Sequence, residues 1–214
     1  MTQKEKVVRL VLFSRLYSMG SNIIENKKIL YLDYNSTTPV DPRVLEAMLP
    51  YLKENFANPS SSHHFGQSIN AKVKQARKQI ADFINAEPNE LIFTSGATEA
   101  INMAIKGVAE SNSNKGKHII TVSTEHKAVL DTCKDLERKG FEITYLTVQS
   151  DGLIDLTELQ KAIRTDTVLV SVMYVNNEIG VIQPIKEIST LTHENGVLFM
   201  TDATQAVGKI EIDV

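Results

Sequence analysis

The chain has 214 residues, 42% of them hydrophobic and 23% charged, with a formal net charge of −3. That composition is ordinary for a globular domain and leaves no electrostatic footprint for nucleic acid or an anionic membrane as partner. A single cysteine, Cys133, excludes an internal disulfide framework and a cysteine-based metal cluster, and no apolar run approaches the ~20 residues that cross a bilayer.

Residues 1–20 carry Lys4, Lys6, Arg9 and Arg15 against the lone acid Glu5, with Val7, Val8, Leu10, Val11, Leu12, Phe13, Leu16 and Tyr17 as a broad apolar face. Basic, amphipathic and acid-poor is the profile of an organelle transit peptide. Arg15-Leu16-Tyr17-Ser18 resembles a mitochondrial processing site with cleavage after Tyr17. Residues 1–28 are therefore expected to be an N-terminal extension that directs the chain to the mitochondrial matrix. An ordinary surface helix or a mis-assigned start codon, on a cytoplasmic chain, is the competing reading.

Ile29 to Leu32 reads as a short strand leading into Asp33-Tyr34-Asn35-Ser36-Thr37-Thr38-Pro39. Asp41-Pro42 then opens a helix, with Asp as cap and Pro in the first turn; Val44, Leu45, Met48, Leu49 and Leu52 form its apolar stripe. A polar loop, Asn58 to Gly66, precedes a long helix to about Asn85 with Val73, Ala76, Ile80 and Phe83 near helical period. From there strands and helices alternate. Leu91 to Thr94 reads as a strand, followed by a helix starting at Ser95-Gly96-Ala97-Thr98. Strands at His118–Val122, Phe141–Val148, Thr167–Met173 and from Val197 are separated by helices marked by Val129, Leu130, Cys133 and Leu136, by Leu156, Leu159 and Ile163, and by Ile185, Ile188 and Leu191. This alternation predicts an α/β fold, a mostly parallel sheet with flanking helices.

The turns at the strand ends carry the chemistry. They are Ser95-Gly96-Ala97-Thr98, Ser123-Thr124-Glu125-His126, Asn176-Asn177-Glu178, and Asp202 with Gln205. All fall on the carboxyl edge of a parallel sheet, where such folds place ligands. Ser95 to Thr98 offers free backbone N–H groups at the positive end of a helix dipole, suited to a phosphate; a plain capped helix has the same look. His126 could face a flat ligand or shuttle a proton, or be a polar cap. Asn177 is a neutral donor or a turn former. Asp202, ending an apolar strand, is a partner for a ligand cation such as a pyridinium nitrogen, or a turn aspartate. His63 and His64 are adjacent and lack metal-pair spacing, so no metal site is read. Cys133 lies on an apolar stripe as a core residue. A phosphate cradle, an imidazole, a neutral donor and a carboxylate together fit pyridoxal 5′-phosphate.

Phe93-Thr94-Ser95-Gly96-Ala97-Thr98-Glu99, Thr124-Glu125-His126-Lys127-Ala128-Val129-Leu130, Val175-Asn176-Asn177-Glu178-Ile179-Gly180 and Thr201 to Lys209 resemble the cysteine desulfurases of the class-V aminotransferase family. Asp33–Pro39 and Asn58–Gly66 match as well. The likeness runs from about Ile29 to Val214 and is nearer the iron–sulfur-assembly branch than the selenocysteine-lyase-like one. It implies that residues 29–214 are part of a class-V domain resembling the large domain of fold-type I pyridoxal-phosphate enzymes. By position it places Ala97 and Thr98 at the cofactor phosphate and His126 against the ring as proton-transfer residue. Asn177 would orient a substrate or cofactor oxygen, Asp202 hold the ring nitrogen protonated and Gln205 bond the 3′-oxygen. The implied reaction takes sulfur from L-cysteine, leaving L-alanine and an enzyme persulfide, with a homodimer and an iron–sulfur scaffold protein as sulfur acceptor.

The family's Schiff-base lysine follows a Ser-x-His motif a couple of dozen residues beyond the Gln205 position, and its nucleophilic cysteine lies further on. This sequence stops at Val214, nine residues after Gln205. The expectation is therefore an incomplete sheet and an N-terminal fragment of the enzyme with little activity of its own. The alternative is a non-catalytic fragment that pairs with a full-length subunit or with the scaffold protein.

Overall fold

The computed structural model describes residues 30–214; the expected transit peptide and its cleavage point lie outside them. The described residues fall into two units, divided between Pro39 and Val40. In the described part of the first, residues 30–32 form no strand. Here the Tyr31 hydroxyl is hydrogen-bonded to Thr37 Oγ1 at 2.7 Å, and its ring meets Tyr34 edge-on at 5.1 Å. Ser36 N–H closes a turn on the Asp33 carbonyl. Local ring packing and a turn thus take the place of the ladder a strand would need.

The second unit begins with helix α1 (Pro42–Lys53), capped by Asp41, whose Oδ1 accepts from Arg43 N–H at 2.8 Å. Helix α2 (His64–Ile84) starts at His63 and ends where Asn85 adopts φ +59°, a left-handed stop that Asn tolerates. The expected α1 stripe is not a core face. Val44, Leu45, Met48 and Leu52 are exposed, because none of the described elements packs over them. On α2 the inward residues are Gly66, Ile69 and Ala81 rather than Val73, Ile80 and Phe83.

Leu91–Thr94 departs most from expectation. It is extended but pairs with no strand among the described residues, and Ile92 and Phe93 are exposed. Strand character is completed by a ladder partner, which this segment lacks. Arg77 holds it instead, donating to the Leu91 carbonyl and lying 4.5 Å from the Phe93 ring centre.

Beyond it the alternation holds. Helix α3 (Ala97–Ser111) is followed by β1 (His118–Val122), α4 (Lys127–Arg138), β2 (Glu142–Leu146), α5 (Leu156–Ala162), β3 (Thr167–Ser171), α6 (Ile185–Glu194) and β4 (Leu198–Met200). The four strands are all parallel in the order β2-β1-β3-β4. Residues Ile119 and Leu169 bury against Ile101 and Ile105 of α3 and Val129, Cys133 and Leu136 of α4. Ile120, Val122 and Val170 point the other way, onto Leu159 of α5 and Ile188 of α6. A side-chain period of two on each strand therefore fills two core layers, one per sheet face. Cys133 is fully buried in the first, as its place on the apolar stripe predicts.

At the strands' amino ends, His118 is buried with Nδ1 2.7 Å from Thr167 Oγ1 and Nε2 2.8 Å from Thr144 Oγ1, which pins β1 between β3 and β2. Burial holds this imidazole below its usual pKa.

Candidate functional site

The sheet order decides where a ligand can sit. From β1 the chain crosses to β2 on one side, and β3 then lies on the other side of β1. The two connections leave in opposite directions, opening a crevice at the carboxyl ends of β1 and β3, the position at which open α/β sheets take ligands. The turns after β1, β3 and β4 all border it.

After β4 the ladder with the β3 side continues. Val172 N–H donates to the Met200 carbonyl at 3.1 Å and Tyr174 N–H to the Asp202 carbonyl at 2.9 Å. Asp202 is thereby fixed beside Met173 and Tyr174, and it is 9% exposed. Its Oδ1 accepts from Thr204 N–H at 2.9 Å and from Thr204 Oγ1 at 2.6 Å. The turn reading of Asp202 holds for one oxygen, in a carboxylate that is buried at the sheet edge. Gln205 stands in the next turn, where Ala206 and Val207 N–H groups return to the Ala203 carbonyl. Lys209 Nζ donates to Gln205 Oε1 at 2.5 Å, which fixes the orientation of that amide.

His126 is the cap of α4. Its Nδ1 accepts from Ala128 N–H at 3.1 Å, so the neutral ring carries its proton on Nε2, and the side chain is exposed. Asn177 is half-buried in the loop after β3. Sequence reasoning passed over its neighbour. Asn176 is 7% exposed, donates from Nδ2 to the Thr124 carbonyl at 2.8 Å, and accepts at Oδ1 from Glu178 and Ile179 N–H at 2.8 and 3.0 Å. It ties the turn of Asn177 to that of His126.

Glu125 was also missed. It is 6% exposed, and its Oε1 accepts from Met173 N–H at 2.5 Å across the β1–β3 crevice. Burial, with the Asp202 charge adding to it, pushes this carboxyl up to about 8 against the pull of the Met173 hydrogen bond. An acid between polar Thr124 and His126 gives no local signal of burial; only the tertiary pairing of β1 with β3 creates it.

Ala97 and Thr98 begin α3, whose cap residue Gly96 makes no side-chain cap bond. Their N–H groups have no intrahelical acceptor. Helix α3 leads through residues 112–117 to the amino end of β1, so its ~22 Å length at 1.5 Å per residue returns its N-terminus to the carboxyl edge. Lys106 of α3 pairs with Asp135 of α4 at 3.2 Å, as two helices running side by side in one direction would arrange it. Glu99 turns back to Ser95, accepting from its N–H at 2.7 Å and its hydroxyl at 2.6 Å, and these bonds hold the Glu99 carboxyl below its usual range. Because Leu91–Thr94 is not a sheet strand, α3 itself and not a strand end carries Ala97 and Thr98 to the edge.

The class-V aminotransferase profile matches residues 30–214. The chain is 59% identical over 187 residues to the cysteine desulfurase IscS of Dechloromonas aromatica, covering 86% of this chain and 46% of that protein. Against IscS of Neisseria meningitidis serogroup C it is 59% identical over 189 residues, covering 88% and 47%. Among solved structures, a NifS-like protein superposes with a TM-score of 0.85 at 42% identity, over 87% of this chain and 52% of its own. SspA in complex with cysteine gives 0.84 at 45% identity, over 87% and 54%. The chain thus spans about half the length of the curated relatives it matches. Profile, parallel sheet and edge-sited turns agree, and the chain belongs to the class-V aminotransferase family.

Proposed function

We propose that this protein is a pyridoxal-phosphate-dependent cysteine desulfurase, and the observation that carries the reading is Asp202. It is a buried carboxylate at the end of β4 whose Oδ1 is locked by Thr204, beside the β1–β3 crevice. The donor set fits the cofactor. Ala97 and Thr98 N–H groups at the α3 start would take the phosphate, and Asp202 would hold the ring nitrogen protonated. Gln205 would bond the 3′-oxygen, His126 would lie against the ring, and Asn177 would orient a substrate or cofactor oxygen. The bound cofactor supplies an electron sink for bond changes on an amino acid.

The residues supply the rest. The charged hydrogen bond that Asp202 would accept from the ring nitrogen would contribute ~1.5–3 kcal/mol. His126, with Nδ1 committed to Ala128, moves protons at Nε2. The reaction balances without an external oxidant: L-cysteine and a second thiol, supplied from outside these 214 residues, give L-alanine and a persulfide on that thiol, the C–S bond breaking, an S–S bond forming and the β-carbon taking a proton. The receiving thiol is not Cys133, which is fully buried and whose thiol burial pushes up to about 12. Support for the substrate comes from the desulfurase relatives and the cysteine complex among the structural neighbours. An iron–sulfur scaffold as acceptor, a homodimer, and mitochondrial import through residues 1–28 complete the proposal.

The test is the protein expressed from its native gene, supplied with pyridoxal 5′-phosphate, L-cysteine and a reductant. Alanine and sulfide released in equal amounts support it; bound cofactor without alanine overturns it. A second reading is favoured by the exposed α1 stripe and the unpaired Leu91–Thr94: a non-catalytic chain pairing with a complete family subunit. A stable hetero-oligomer with such a subunit, coupled to no alanine release, would select it.

A further inference from the structure

Glu125 has three features that the proposed chemistry leaves unused. It reaches from the end of β1 across the crevice to accept from Met173 N–H at 2.5 Å. Its other oxygen, Oε2, is buried and has no hydrogen-bond partner among the described residues. And it sits in the field of Asp202, the carboxylate assigned to the cofactor nitrogen. An ionised carboxylate with an unsolvated, unpartnered oxygen next to a second carboxylate is strongly disfavoured. The same geometry suits a neutral acid, with Oε1 accepting and the proton on Oε2.

We propose that Glu125 is a proton-holding positioning residue: as a neutral acid it clasps the ends of β1 and β3, setting His126 and Asp202 in place. The proposal rests on the reading of Asp202 as cofactor partner. Its reach is specific, because Glu125 and Met173 lie just past the carboxyl ends of β1 and β3, the strands that flank the topological switch point. The Asn176–Thr124 bond runs parallel to it, so the two turns are joined twice. The ionisable groups facing Glu125 are Asp202 from the end of β4 and Cys133 from α4, whose thiol stays protonated. Among the described residues no cation offsets a charge there, and the raised affinity for a proton, to about 8, agrees with the geometry.

The test has a part that needs no cofactor. Infrared difference spectra of the full chain should show the carbonyl stretch of a buried carboxylic acid at neutral pH. The band should be lost as pH passes about 8 and be absent from E125Q. The thermal midpoint of E125Q should gain on that of the native chain as pH rises toward 8, because Gln keeps the acceptor and never ionises. Absence of the acid band, or parallel pH profiles for the two proteins, overturns the proposal. A third arm measures pyridoxal 5′-phosphate binding by fluorescence near pH 7. E125Q should bind as the native chain does, while E125D, too short to reach Met173, should bind roughly tenfold more weakly, the equivalent of one hydrogen bond of ~1.4 kcal/mol. Equal binding by E125D also overturns it. If the native chain binds no cofactor, the cofactor reading fails separately, since the infrared and thermal arms still decide whether Glu125 holds its proton.

Discussion

Asn176 Nδ2 lies 2.8 Å from the Thr124 carbonyl, joining the loop that presents Asn177 to the turn that presents His126. N176A removes this donor and the acceptor for Glu178 and Ile179 N–H together. Partly buried groups left unpaired should cost ~1–2 kcal/mol, read as a lower urea midpoint. N176D keeps the acceptor, loses the donor and sets a carboxylate oxygen against the Thr124 carbonyl, so it too should lower the midpoint although the Glu178 and Ile179 N–H bonds survive.

Stability should fall as pH rises through the slightly acid range, and E125Q should remove part of that fall. The unfolded Glu125 titrates at its ordinary 4.5 while the folded one holds its proton to about 8. Between those values the native state binds more protons than the unfolded state, so unfolding free energy drops by as much as ~1.4 kcal/mol per pH unit. Below 4.5 both states are protonated and above 8 both are ionised, so the slope vanishes outside the window. Urea denaturation of the native chain and E125Q across roughly pH 4–9 measures the difference.

The Asp202 turn predicts two separable effects. D202N should weaken pyridoxal 5′-phosphate binding roughly ten- to a hundredfold, the worth of a charged hydrogen bond of ~1.5–3 kcal/mol. T204V deletes the hydroxyl 2.6 Å from Oδ1 but keeps the N–H at 2.9 Å. It should lower stability by ~1 kcal/mol and affect binding less than D202N does. Fluorescence titration and denaturation on the same samples give both numbers.

Cys133 should be silent toward thiol reagents in the folded chain and react fully once unfolded, because the reactive species is the thiolate and burial keeps the thiol protonated. C133A should leave sulfur release unchanged. Rapid labelling of the native protein, or loss of alanine production in C133A, would contradict both the burial and the role assigned to it.

The placement of the candidate residues was legible because they sit at strand and helix ends. Asp202 ends an apolar run, and His126 caps a periodic helix; both signals are local. Glu125 and Asn176 were not legible. Their importance is burial between β1 and β3, a pairing of segments 48 and 52 positions apart that no local pattern announces. Leu91–Thr94 failed for the complementary reason. Its residues favour a strand, but a strand is defined by its partner, and among the described residues none is hydrogen-bonded to it. The α1 stripe likewise has the right period and no described surface over it. Periodicity identifies faces; it does not supply what covers them.

The reach of Glu125 to Met173 has a kinetic consequence. Before β3 docks on β1, Glu125 is an ordinary solvated acid, ionised at neutral pH; afterwards it is a neutral one. Closing the crevice therefore draws a proton from the solvent. Refolding in weak buffer with an indicator dye should show an uptake of up to about one proton per chain near pH 7, timed to the β1–β3 junction and missing from E125Q. The chain thus carries an internal reporter for the moment its ligand-facing edge is assembled.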